Sequence, residues 1–188
     1  YGGVLQNCSN SSTVIGKNND SRAGGVCGDN NGTVRDCKNT GSVSGQNDVG
    51  GVCGFSAGTV KSCYNTGSVH GTGTHVGGVC GSNYISTTYS GTITNCYYLE
   101  NTATGGMEGK DVPGKTEKMS IEPFKSGEMA WLLNGKVLGE QVWGQQLGID
   151  PSPVPGSAYK VIKAAQGDKD ANGHYTYWAT FSNLKNDV

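Results

Sequence analysis

A loop that holds a hard cation needs side-chain oxygens at alternate positions, and Asp168-Lys169-Asp170-Ala171-Asn172-Gly173 supplies them. The run fits the first six positions of a calcium loop, D-x-D-x-N-G, with Asp168, Asp170 and Asn172 as donors. The twelfth position of such a loop is a bidentate glutamate, and here it is Ala179. The flanks read as strands, and Asp, Asn and Gly are also what a hairpin turn uses. A plain turn is the favoured reading, and calcium is the one cofactor left open.

Other groups capable of chemistry are sparse in the first half. Its carboxylates reduce largely to Asp20, Asp29, Asp36 and Asp48, a thin supply for the paired acids of glycoside cleavage. Asp36 occupies a slot that is Ser62 and Asn95 in equivalent stretches, which predicts a turn residue. His70, His75 and His174 do not sit in an H-E-x-x-H zinc motif. Tyr64, Tyr97 and Phe55, with Tyr84 and Tyr89 also in or beside the repeats, are candidate ligand contacts, since aromatic faces stack on sugars or dock a protein. The competing reading is packing against the rest of the chain.

Seven cysteines, Cys8, Cys27, Cys37, Cys53, Cys63, Cys80 and Cys96, all precede residue 97. One reading is a ladder of small buried thiols filling a core. The other is one bridge per repeat, Cys27–Cys37, Cys53–Cys63 and Cys80–Cys96, with Cys8 left over. The ten-residue gap from Cys27 to Cys37 is not zinc-ligand spacing.

These positions are set by a repeat. GGVCGDNNGTVRDCKNTGSVSG from Gly24 returns as GGVCGFSAGTVKSCYNTGSVHG from Gly50, then as GGVCG from Gly77 and GTITNCYY from Gly91. Tyr1–Gly16 is a worn copy. Cys27 to Cys53 is 26 residues and Cys53 to Cys80 is 27, whereas Cys63 to Cys96 is 33 because of an insertion. Such a period means stacked units. No stretch has helical periodicity. Each unit offers three short β-type pieces bounded by Gly or Asn: Val52-Cys53, Thr59 to Cys63, and Ser68-Val69-His70. This predicts an all-β, right-handed parallel β-solenoid of three to four coils. Like residues then form ladders: Val26/Val52/Val79, Cys27/Cys53/Cys80, Val34/Val60/Ile93, Cys37/Cys63/Cys96, Asn39/Asn65 and Val43/Val69. The neighbours Val52 and Cys53 should face opposite ways in a regular strand, so a bend is needed if both are to face inward.

The same residues, GGVCG, GTVKSCYNTGSV and the following VGG, resemble the GLUG-motif repeats of bacterial surface proteins. The resemblance covers Gly24–Tyr98 well and Tyr1–Gly16 weakly. It implies a large secreted or wall-attached parent, such as the regions preceding some immunoglobulin-cleaving metallopeptidases. It also implies that the cysteine slots accept aliphatic residues, which favours thiols as apolar filler. The zinc site of such a peptidase does not carry over to this sequence.

After residue 98 the composition shifts: nine charged side chains lie in residues 1–98 and twenty in the remaining 90. Residues 101–117 read as a linker. Residues 118–188 read as a small α+β cap: a short helix from Ser120, with Pro123 in its first turn and a split at Gly127, closed by Asn134-Gly135, then Trp143 and two strands joined around 166–173. A cap of this kind would cover the last coil's open edge.

Net charge is −1, with Arg22 and Arg35 the only arginines, so no track for nucleic acid is present. No apolar run approaches the roughly 20 residues of a membrane span. The chain begins in mid-repeat, as a piece of a longer protein would. The expectation is a non-catalytic, monomeric, extracellular repeat module of a bacterial surface protein, a spacer or adhesion region for a host or bacterial surface protein or a glycan. The alternative is a carbohydrate-active or peptidase-associated β-helix domain of a larger secreted enzyme.

Overall fold

The computed structural model describes residues 2–19, 21–87, 90–137, 140–164 and 177–182, with side chains left aside at 162–164 and 177–182. It divides into two units, 1–120 and 121–188.

The first unit is a parallel β-solenoid. Its first coil runs through β1 (Val4–Gln6), β2 (Ser9–Asn10), β3 (Val14–Ile15), β4 (Ala23–Gly24) and β5 (Cys27–Asn30). The second runs through β6 (Thr33–Arg35), β7 (Lys38–Asn39), β8 (Val43–Gly45), β9 (Val49–Gly50) and β10 (Cys53–Ser56). The third comprises β11 (Thr59–Lys61), β12 (Tyr64–Asn65), β13 (Val69–Gly71), β14 (Val76–Gly77) and β15 (Cys80–Asn83). The fourth opens with β16 (Thr92–Thr94) and β17 (Cys96–Leu99). Like strands pair in parallel and in register, so five sheets run the length of the stack.

Five strands per coil replace the three expected from sequence. The extra corners are made by residues other than glycine with left-handed backbone: Asn7, Asp36, Ser62 and Asn95 (φ 57°, 55°, 50° and 53°) form one column, and Asp48 and His75 (φ 50° and 58°) belong to another. Asn and Asp tolerate this region better than most residues. Asp36 is thus the turn residue its slot predicted.

The predicted ladders form. Cys53 pairs in register with Cys27 and Cys80, and Val60 with Val34 and Ile93. Val52 and Cys53 are both buried, because the chain bends at the glycine pair before them. Both of their N–H groups donate to the Val79 carbonyl, at 2.9 and 3.0 Å, and Val26 and Cys27 share the Val52 carbonyl likewise.

The glycine pair has two separate duties. A Cβ at Gly50 would lie 1.8 Å from the Cys53 carbonyl oxygen, so the first glycine lets the bend close on itself. A Cβ at Gly51 would strike the Gly78 carbonyl at 2.1 Å and the Asn65 amide at 2.4 Å, so the second makes room for a buried side chain of its own repeat. Those buried amides chain together: Asn10 Nδ2 donates to Asn39 Oδ1, and Asn39 Nδ2 to Asn65 Oδ1, each at 2.8 Å.

Residues 101–117, read from sequence as a linker, fold onto the third and fourth coils instead. Here β18 (Thr116–Met119) pairs in parallel with β17. Thr102 and Gly105 accept from the N–H groups of Val69 and Gly78 (2.8 and 2.7 Å), and Gly114 and Lys115 accept from Asn95 and Cys96 (3.1 and 3.0 Å). Asp111 Oδ1 fixes the segment by accepting from Tyr98 Oη (2.8 Å) and the Gly106 N–H (3.0 Å). A Gly- and Thr-rich stretch lacks side chains to announce burial, but its backbone supplies the partners that the last coil needs.

The second unit holds α1 (Ile121–Ser126) and α2 (Glu128–Leu133), split at Gly127 (φ 91°) as expected. Phe124, Met129, Leu133 and Trp143 form its buried interior. Asn134 closes the helix and clasps Trp143, donating to its carbonyl at 2.8 Å and accepting its N–H at 2.9 Å. The two expected strands, β21 (Tyr159–Ala164) and β22 (Tyr177–Ser182), pair antiparallel, and β19 (Trp143–Gly144) pairs antiparallel with β20 (Val154–Pro155). Among the described residues no helix is long and apolar enough to cross a membrane.

Candidate functional site: a charged and aromatic band

The residues identical between repeats mostly point inward or make corners, so distinctive chemistry falls to positions where the repeats differ. Two such columns lie side by side. Residues Arg22, Asp48 and His75 each precede the in-register strands β4, β9 and β14. Asp29, Phe55 and Ser82 are in register on β5, β10 and β15.

Arg22 joins the columns. Its guanidinium pairs with Asp29, lies 3.9 Å from the Asp48 carboxylate, and stacks with its carbon 3.8 Å from the centre of the Phe55 ring. His75 Nδ1 is 3.1 Å from Asp48 Oδ1. On the other side Phe55 meets Tyr84, with ring centres 5.9 Å apart and planes inclined by 30°. Tyr84 arrives on the insertion that lengthens the third repeat, and it is 47% exposed, next to Ile85 at 63%. The band thus sets two aromatic rings beside a guanidinium, two carboxylates and an imidazole. Rings and planar hydrogen-bonding groups side by side suit the faces and hydroxyls of a sugar, or an aromatic or charged side chain of a protein.

Of the aromatic candidates from sequence, Phe55 and Tyr84 belong to this band, and Tyr89 lies outside the described residues. Tyr64 and Tyr97 are buried in the β12–β17 column, with the Tyr97 hydroxyl donating to Asn95 Oδ1 at 2.7 Å. Burial, with the Glu117 carboxylate nearby, holds the Tyr97 phenol protonated well above its usual range. Asp168, Asp170 and Asn172 lie outside the described residues. Arg22, Asp48 and His75 were not legible as part of a site, since nothing in the sequence tells which face of a coil a non-repeating residue occupies.

The seven thiols are all free and form two vertical columns. Cys27, Cys53 and Cys80 make one, and Cys8, Cys37, Cys63 and Cys96 the other; all five beyond Cys8 and Cys27 are buried. Each thiol donates to a carbonyl two residues away, for example Cys53 Sγ to Phe55 O at 3.0 Å and Cys37 Sγ to Arg35 O at 3.0 Å. Together with Val34, Val52, Val60, Val79, Ile93 and Tyr98 they are the core, as the filler reading expects. Burial pushes the Cys63 thiol well above the usual range. Among the described residues no three His, Cys, Asp or Glu side chains converge as a metal site.

The sequence matches no protein-family model and none of the curated proteins. The fold is similar to a crystal structure from Bacteroides ovatus, of a protein provisionally named an immunoglobulin A1 protease, with a TM-score of 0.53 and 19% identity. The likeness covers 81% of this chain and 57% of that one, so the chain spans little more than half of its neighbour's length. At that identity the likeness speaks to the fold alone.

Proposed function

We propose that this chain is a non-catalytic repeat module of a bacterial surface protein, of the GLUG-repeat kind, acting outside the cell as a spacer that also adheres. The band of Arg22, Asp29, Asp48, Phe55, His75 and Tyr84 is its contact surface, and a glycan or a protein of the host or bacterial surface is the partner. The observation that carries this reading is the division of labour in the stack. Repeating positions are spent on ladders and corners, while the non-repeating ones gather into one outward network with exposed aromatic surface. The module needs no cofactor and works as a monomer.

A glycan array probed with the intact chain tests the reading, with Phe55→Ala and Tyr84→Ala as controls. Binding that both variants lose supports the band. Binding that both retain moves the contact elsewhere, and no binding to any glycan leaves protein partners, which pull-down from host surface extracts examines with the same variants. Calorimetric titration with calcium is expected to give no heat from the 168–173 turn.

A second reading is favoured by the Bacteroides ovatus neighbour: an accessory domain beside a peptidase or a carbohydrate-active enzyme in a larger secreted protein. Immobilised immunoglobulin A1 separates the two. Saturable binding to it, without cleavage, would favour the accessory role.

A further inference from the structure

Stacking in register places thiols of neighbouring coils together, and this bears on which disulfides the chain can form. Cys8 and Cys37 immediately precede Ser9 and Lys38, which pair in register on β2 and β7. Rungs of a parallel stack are about 4.8 Å apart, within the Cα separation a disulfide accepts. The two thiols are hydrogen-bonded neighbours, and Cys63 bonds to Cys37 from the other side. The thiols of Cys27 and Cys53 instead hydrogen-bond along their own column, not to Cys37 or Cys63 of the same repeat.

We propose that Cys8 and Cys37 are a vertical dithiol site that low-molecular-weight disulfides, such as glutathione disulfide, convert into a bridge between the first and second coils. The half-buried Cys8 is the point of entry, and the buried Cys37 is the resolving thiol. The Cys8 thiolate attacks one sulfur of glutathione disulfide, forming the mixed disulfide and releasing one glutathione thiolate. The Cys37 thiolate then attacks the Cys8 sulfur, forming the Cys8–Cys37 bond and releasing the second. The two protons lost from the cysteines end on the two glutathione thiols, so one disulfide is reduced for one formed.

The environment divides these roles. Burial and then the Cys37 thiol raise Cys8, so the entry step is the slower one. The hydrogen bond from the Cys63 thiol outweighs burial and lowers Cys37 to about 7, so the resolving step has its thiolate at neutral pH. In the other column, the Cys53 thiol and burial both hold Cys27 protonated, which keeps that half-buried thiol slow. The bridge closes between parallel neighbours in register, a separation at the short end of disulfide geometry, so it is readily reduced. That makes it a conditional staple of the first coil.

The test treats the intact protein with glutathione disulfide under native conditions, alkylates the remaining thiols, and maps peptides by mass without reduction. The expected product links Cys8 to Cys37 and leaves Cys53, Cys63, Cys80 and Cys96 alkylatable after unfolding. Its rate of formation should keep rising as pH climbs above 7, because the first attack needs the Cys8 thiolate, whose thiol is raised by burial and by Cys37. In Cys37→Ser the glutathione adduct should persist on Cys8. Bridges within a repeat, Cys27–Cys37 or Cys53–Cys63, would overturn the proposal. So would wild-type protein that keeps an unresolved adduct on Cys8, or that does not react. Should the variant fail to fold, the wild-type map and its pH profile still decide.

Discussion

Replacing Asn39 with alanine tests whether side-chain ladders hold the coils together. Asn39 is fully buried and makes four hydrogen bonds: Nδ2 donates to the Gly41 carbonyl (2.7 Å) and to Asn65 Oδ1 (2.8 Å), while Oδ1 accepts from the Gly41 N–H (3.2 Å) and from Asn10 Nδ2 (2.8 Å). In Asn39→Ala, Asn10 keeps the Ser12 carbonyl and Asn65 keeps the Gly67 N–H, so both neighbours retain a partner. Gly41 is buried and loses both of its contacts. Orphaning a buried polar group costs about 1–3 kcal/mol, so the loss should be about 3 kcal/mol, a large part of the 5–15 kcal/mol of a typical domain. Asn39→Asp should be worse at pH 7. A carboxylate still accepts from Gly41 and Asn10, but it sets an anion against Asn65 Oδ1 and the Gly41 carbonyl, both acceptors.

The pH dependence gives that variant a sign. The folded state favours the protonated carboxyl, which can donate, so the folded pKa lies above the unfolded one. The stability deficit relative to wild type should therefore shrink as pH falls from 7 towards 4. Urea unfolding followed by far-UV circular dichroism reports on the solenoid. All three tryptophans, Trp131, Trp143 and Trp178, lie in the second unit, so their fluorescence transition is an internal reference and should stay in place. An Asn39→Ala protein within about 0.5 kcal/mol of wild type, the scatter of ordinary surface substitutions, would refute the ladder argument. An Asn39→Asp protein more stable than Asn39→Ala at pH 7 would refute it equally.

Other substitutions probe other parts of the stack. Gly50→Ala places a methyl 1.8 Å from the Cys53 carbonyl, which no rotamer relieves, so the cost should exceed about 4 kcal/mol by the same urea assay. Tyr98→Phe removes the bond to Asp111 and should cost about 1 kcal/mol; hydrogen exchange should quicken at Gly106, whose N–H shares that carboxylate. Phe55→Ala loses the stack with Arg22 and Tyr84 but little burial, so stability should fall by less than about 1 kcal/mol while glycan or protein binding is lost.

The architecture was largely legible because a repeat states its own register. Cys27, Cys53 and Cys80 share one slot in the sequence and one column in the stack. Less legible was the number of corners. Ser62, Asp36 and His75 carry no glycine signal, yet adopt the left-handed backbone that breaks each coil into five strands. Residues 101–117 were misread as a linker because they bind through backbone groups, which every sequence has. Whether Tyr64 and Tyr97 are contacts or packed rings was left open for a related reason: period-two alternation fixes the facing of a long strand, but two-residue strands between bends restart it at every corner.

That restart also explains why the band escaped sequence reasoning, and why it merits the role proposed for it. In a stack, a side chain at a repeating inward slot is constrained by identical neighbours above and below, so Val34, Val60 and Ile93 vary only in size. A slot outside the core cluster has no such constraint, and its three occupants are free to be different even where, as at Ser82, the side chain is covered. Asp29, Phe55 and Ser82 differ in charge, shape and size, as do Arg22, Asp48 and His75. Independent surface positions would leave these as unrelated solvated side chains. Instead Arg22 contacts both columns, and the one insertion in the repeats delivers Tyr84 against Phe55. Exposed ion pairs are worth about 0–1 kcal/mol each, too little for folding alone to require such an arrangement. A module that only separates its neighbours would do as well with serine and threonine there, so losing partner binding on Phe55→Ala without losing the fold is the outcome that distinguishes an adhesive surface from a spacer.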